Sequence, residues 1–298
     1  MKIKILFFSI FAILMVGCGS GNKKGLNGGY SCGWESGYLV NGCWEDSNEL
    51  KDYSIQVVSD NVRKGMKAMR FEVRPGDDPL GCVGCGERAE VLNMITKNGD
   101  VINETKKSGT KYYAFSVMFD KNWENPKSDY DGLWSHFFQL HGPDILDGSA
   151  AIAMDTTNST GGEGISILIS TGDLDDEDNV FSSMVFDLKE SGLNKGEWVD
   201  FVIKINFSVE NGRIEVWRRN DNETNFKVVM NTINKYPNGI PTLQYRASYK
   251  KGAIEDHYWK HGIYRPHQDI TTGPTSILWL DGISRGENFS WVKRNAFP

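Results

Sequence analysis

The 298-residue sequence has no basic excess: 33 lysines and arginines stand against 39 aspartates and glutamates, a formal net charge of −6. That balance excludes general nucleic-acid binding, which needs clustered cations to meet phosphates. Nor is there an apolar run of the roughly 20 residues that span a bilayer. The one extended apolar stretch, Ile5–Val16, follows two lysines and leads into Gly17-Cys18. It reads as an export signal over 1–17 ending in a bacterial lipobox, with Cys18 as the lipid-carrying residue; an ordinary signal peptide cleaved nearby is the alternative. Residues 18–30 are small and polar, as in a flexible tether. Residues 31–298 contain no linker and no internal repeat, so a single domain is expected. The expected setting is a bacterial outer-membrane or cell-surface lipoprotein, or a secreted protein. It would be a monomer that meets the membrane only through its lipid.

Cysteine is scarce as well. Beyond Cys18 there are only Cys32, Cys43, Cys82 and Cys85. An even number in an exported chain suggests disulfides, and Cys32–Cys43 with Cys82–Cys85 is the simplest pairing. A zinc site on Cys82-x-x-Cys85 lacks a second CxxC or HxxxH to complete it. The acidic run DLDDEDN (173–179) alternates carboxylates but lacks the glycine of an EF-hand loop, so a solvated loop is the plainer reading. Asp281 in WLDGI is a second candidate for a calcium ligand. No cofactor is required, and a structural calcium is the one ion left open.

Also missing is any amphipathic helix longer than about three turns. What the sequence has is strands: 69–74 (MRFEVR), 112–119, 133–141, 165–170, 198–207, 213–217 and 276–283, separated by Gly, Asn and Asp clusters. This many strands in one domain of this size point to an all-β sandwich or jelly roll.

Successive residues of a strand face opposite ways, so polar residues two apart share a face. In LWSHFFQLH, Gln139 and His141 share a face with Ser135 and Phe137, leaving Trp134, His136, Phe138 and Leu140 on the other. In GERAEV, Arg88 and Glu90 lie opposite Ala89 and Val91. In YWKHGIYRP, Tyr258, Lys260, Gly262 and Tyr264 lie opposite Trp259, His261 and Ile263. In RFEVR, Arg70, Glu72 and Arg74 share a face and could be a plain ion-pair ladder. The segment from Tyr245 to Gln268 holds Arg246, Lys250, Lys251, Lys260 and Arg265 against only Glu255 and Asp256, one basic segment in an acidic chain.

Three of these motifs together resemble the β-jelly-roll polysaccharide lyases, the group of alginate, heparin lyase I-like and glucuronan lyases. Arg88-Ala89-Glu90 matches their R-x-E strand, Gln139-Leu140-His141 their Q-x-H strand, and Tyr258 to Tyr264 their Y-x-K-x-G-x-Y strand, in the same order. The likeness runs over residues 67–286. Arg265-Pro266 stands where alginate lyases carry Asn-Gln, which leans toward the heparin lyase I-like and glucuronan side. The resemblance implies a concanavalin-like sandwich of two curved antiparallel sheets that cleaves an anionic, uronate-containing polysaccharide by β-elimination.

That chemistry removes the proton on C5 of a uronate and expels the oxygen on C4. The neighbouring carboxylate must first be neutralised, for which the bidentate fork of Arg88 and the amide of Gln139 are suited. His141 is the candidate base, and Tyr264 the candidate proton donor, its hydroxyl made more acidic by cations such as Lys260. Tyr264 could instead be the base. Lys260, Tyr258, Arg246, Arg265, Lys250 and Glu90 would line the path of the chain. An alginate lyase and a lectin-like binding module are the alternatives. A jelly-roll glycoside hydrolase would need a strand with two facing carboxylates, such as E-x-D-x-x-E, and the sequence has none.

Overall fold

Two sets of alternating strands bury their apolar faces against each other. The computed structural model describes residues 29–37, 42–82, 84–127, 134–142, 150–157, 162–176, 180–188, 192–248 and 256–298. The export signal, Cys18, the tether up to residue 28, Lys250 and the end of the acidic run (177–179) lie outside the described residues. In chain order the elements are β1 (Tyr30–Cys32), β2 (Trp44–Asn48), β3 (Ile55–Val58), β4 (Ala68–Val73), β5 (Glu87–Met94), β6 (Thr110–Phe119), β7 (His136–His141), β8 (Ala150–Thr157), β9 (Glu163–Asp173), β10 (Val180–Asp187), β11 (Trp198–Asn206), β12 (Arg213–Asn220), β13 (Lys227–Asn231), β14 (Gln244–Tyr245), β15 (Tyr258–Arg265), β16 (Ser276–Gly286) and helix α1 (Phe289–Ala296).

One sheet runs β13-β12-β11-β6-β16-β4-β3 with β1 beside β16, and the other β10-β9-β8-β7-β15-β5-β2 with β14 beside β9. All pairings are antiparallel except β14 with β9. The result is the expected all-β jelly-roll sandwich. Period-two faces explain the core: Tyr113, Phe115, Val117 and Phe119 of β6 and Val199, Phe201, Ile203 and Ile205 of β11 point inward. They meet Phe137, Phe138, Trp259 and His261 from the other sheet.

His261 is a core residue. Its Nδ1 lies 3.0 Å from the Phe137 carbonyl oxygen, and its ring meets Phe115 edge-on at 4.6 Å. Burial pushes the imidazole down to about 3, against the carbonyl contact that raises it.

Helix α1 is capped by Asn288, whose side chain accepts from the Trp291 N–H, and packs Val292, Ala296 and Phe297 against Ala114 and Val202. It thus covers part of the outer face of the first sheet. Lys64 Nζ ties its end down by donating to the carbonyls of Arg294, Asn295 and Phe297. Asp281 belongs to this clasp: its Oδ2 accepts the Arg63 and Lys64 N–H groups and its Oδ1 the Gly282 N–H. Burial pushes its carboxyl up to about 7, against the three amides that favour the anion. A carboxylate so engaged is a poor start for a calcium site, and no group of three or more acidic, His or Cys side chains that could hold a metal occurs among the described residues.

The two disulfides are Cys32–Cys43 and Cys82–Cys85, with Cα separations of 5.9 and 5.3 Å, inside the range a bridge tolerates.

Candidate active site

The site lies on the outer face of the second sheet, where β15 is flanked by β7 and β5. Register sets its rows. Tyr264 stands between His136 of β7 and Arg88 of β5; Gly262 faces Glu90; Lys260 faces Gln139; Tyr258 faces His141. The three motifs, more than a hundred residues apart at their extremes, are therefore neighbours.

Glu90 is the hub. Lys260 Nζ pairs with its Oε2 at 2.8 Å, Gln139 Nε2 donates to its Oε1, and Arg88 Nη1 lies 3.7 Å from Oε2. All four side chains are nearly removed from water, at 7% exposure for Arg88, 3% for Lys260, 2% for Gln139 and 1% for Glu90. Two cations against one carboxylate leave one positive charge on this desolvated floor, where charge interactions are strong. Arg88 is held further by donating from Nη2 to the Cys85 carbonyl, at the mouth of the short disulfide loop. Its Cζ lies 4.0 Å above the centre of the Tyr264 ring. Its Nε is buried without a hydrogen-bond partner among the described residues.

Tyr264 titrates above the ordinary tyrosine value because burial outweighs the nearby Arg88, which pulls the other way. This corrects the expectation that cations make it more acidic. Lys260 is 5.7 Å from the ring centre but is already paired with Glu90.

Two further corrections come from bulges. The register of β7 slips between His136 and Phe138 against both neighbours, so Phe137 and Phe138 both enter the core. Phe137 is therefore not displayed with Gln139, and His136 turns to the site face, where its ring is 5.9 Å from that of Tyr264. Two successive phenylalanines in an alternating strand were the available signal. Gly262 has φ +141°, and a Cβ there would lie 2.1 Å from the Ala89 carbonyl oxygen. Glycine is needed here for the close approach of β5 to β15.

A family described as polysaccharide lyase matches residues 26–284. The chain belongs to the polysaccharide lyase family. No match is found among curated proteins. Among solved structures, an endo-β-1,4-glucuronan lyase from the fungus Trichoderma reesei aligns with TM-score 0.58 and 15% identity over 87% of this chain and 95% of that one. A GH131 β-glucanase catalytic domain from Podospora anserina aligns with TM-score 0.50 and 10% identity over 85% and 90%. An alginate lyase from Pseudomonas aeruginosa gives TM-score 0.47 and 12% identity over 80% and 87%. The first two likenesses show the fold, which a lyase and a glucanase share; the family match makes the protein a polysaccharide lyase.

The rest of the lyase's basic segment is dispersed. Arg265 is fully buried, paired with Glu87 at 2.8 Å and donating to the Pro274 carbonyl and the Ser276 hydroxyl, so it locks the end of β15 and does not line the cleft. Arg246 pairs with Asp175 at 3.1 Å, tying the acidic run to the segment after β14. Arg70 and Arg74 both pair with Glu72 on the first sheet, away from the site. His141 sits at the far end of the row, its Nδ1 near the Gly142 carbonyl oxygen and its ring 5.4 Å from Tyr258.

Proposed function

We propose that this lyase cleaves a uronate-containing anionic polysaccharide, of glucuronate or iduronate type such as glucuronan, ulvan or heparin-like chains, by β-elimination. The observation that carries this reading is the pairing of Tyr264 with a desolvated Arg88 whose Nε points to no protein acceptor among the described residues. A sugar carboxylate accepting from Arg88 would meet the surplus positive charge of the Arg88–Lys260–Glu90 group, so the charge that builds up as C5 loses its proton is stabilised. The C5–H electrons then form the C4–C5 double bond, the C4–oxygen bond breaks, and Tyr264 gives its proton to the leaving oxygen.

His141 is the proposed base. A second reading, in which Tyr264 removes the C5 proton and returns it to the leaving oxygen, is favoured by register. His141 faces Tyr258, while Tyr264 faces His136. Five residue steps along β7 separate the two histidines, about 17 Å at strand rise.

The test is incubation with glucuronan, ulvan, heparin-type chains and alginate while following the ultraviolet absorbance of the unsaturated ends. Tyr264→Phe should lower the rate about 10²- to 10⁴-fold and leave polysaccharide binding intact. Absence of absorbing product with all four would refute the lyase reading of the substrate class. Binding without cleavage, unchanged in Tyr264→Phe, would favour a lectin-like role. If His141→Gln retains most of the rate, Tyr264 is the base. Export and anchoring through Cys18 belong to the same proposal, as does a monomeric state, and they rest on the lysine-led apolar run and its Gly17-Cys18 ending. The two disulfides fit an oxidising compartment.

A further inference from the structure

The histidine beside Tyr264 is His136, which none of the three motifs contains. It is built in from behind. Asp155 of β8 is fully buried; its Oδ1 accepts the Thr157 N–H at 2.7 Å, its Oδ2 accepts the Ser135 N–H at 2.7 Å, and Oδ2 lies 2.9 Å from His136 Nδ1. Two backbone amides thus fix the carboxylate beside Nδ1, at ion-pair distance although the ring N–H is not aligned for a hydrogen bond. Trp134 stacks on the imidazole at 5.1 Å and meets the Tyr264 ring edge-on at 4.4 Å. Gly86 closes the cluster: a Cβ there would come within 2.9 Å of Tyr264 and 3.2 Å of Trp134.

We propose that His136, seated on Asp155, is a positioning residue for Tyr264: its ring fixes the orientation of the phenol. The proposal rests on the reading of Tyr264 as the proton-transfer group. The charged and titratable groups around the imidazole are Asp155 from β8, Tyr264 from β15 and, across the tyrosine ring, Arg88 from β5. Tyr264 is therefore held between two nitrogen-rich planar groups, the imidazole of His136 and the guanidinium of Arg88. Both readings of the base need this phenol aimed at the glycosidic oxygen, and an error of about 1 Å in such aim can cost on the order of 10²-fold in rate.

The test combines a kinetic and a kinetics-free measurement on the full chain. His136→Gln should lower kcat by about 10- to 100-fold with KM within about twofold and an unchanged unfolding midpoint. His136→Asn, which keeps an amide toward Asp155, should recover part of the rate that His136→Ala loses. In ring-labelled protein, the Tyr264 signals, assigned by their loss in Tyr264→Phe, should sharpen in His136→Ala as the phenol loosens and keep wild-type line widths in His136→Asn. Equal line widths in wild type and His136→Ala overturn the proposal, as does a fully active His136→Gln. If the wild type releases no product from any uronate polysaccharide, the substrate reading fails and the ring signals alone decide the role of His136.

Discussion

Two buried groups titrate in opposite senses, and their removal should tilt the stability of the lyase in opposite directions with pH. His261 falls from 6.5 to about 3 on folding, so between these values the unfolded chain binds a proton that the native chain refuses. Stability from this group is lost as pH falls, by about 1.4 kcal/mol per pH unit and about 5 kcal/mol in all. Asp281 rises from 3.8 to about 7, so over that window the native chain holds a proton that the unfolded chain has released. Its contribution grows as pH falls, again by about 1.4 kcal/mol per unit, and the two slopes cancel between about pH 4 and 6.5. Urea unfolding at about pH 6.5 and about pH 4.5 measures each. Relative to wild type, His261→Leu should gain about 2 kcal/mol on going to the lower pH, and Asp281→Asn should lose about 2 kcal/mol. The absolute cost of either substitution drops out of this difference. An identical slope in wild type and His261→Leu would mean that the imidazole takes up a proton in the folded core, refuting its assignment there. An Asp281→Asn that tracks wild type would mean that the three backbone amides outweigh burial.

Glu90→Gln should cost about 3–5 kcal/mol in chemical unfolding, because it leaves Lys260 and Arg88 as buried cations without their counter-charge. A loss below about 1 kcal/mol would contradict the hub, since that is what an exposed pair is worth. Gly262→Ala should lower the melting temperature by many degrees or prevent folding, as its Cβ would sit 2.1 Å from a backbone oxygen of β5; a wild-type melting curve would disprove the close approach. Arg88→Lys should reduce kcat/KM by about 10- to 100-fold, since an ammonium cannot cover the Tyr264 ring and reach the Cys85 carbonyl and a substrate carboxylate at once. Replacing Cys82 and Cys85 by serine should raise KM more than it lowers stability, since the loop they close presents the carbonyl that holds Arg88.

Parity carried the sequence reading a long way where the strands are regular. Ala89 and Val91 entered the core and left Arg88 and Glu90 outside, and Trp259, His261 and Ile263 entered it and left Lys260 and Tyr264 facing the cleft. It failed at β7, because one extra residue in a strand reverses every side chain beyond it. Phe137 therefore took the place expected for His136, and the histidine nearest Tyr264 went unread. Charge counting failed differently. Arg246 and Arg265 looked like substrate ligands in a basic segment, but their partners Asp175 and Glu87 come from distant strands.

By itself, then, the sequence determined the all-β sandwich, the family likeness and the three motifs, because period-two patterning and strand order are local and survive any packing. Only the tertiary structure decided which charges are spent on each other, that burial makes Tyr264 a weaker acid, and that His136 stands beside it. Those depend on register across strands and on desolvation, which no single stretch of chain encodes.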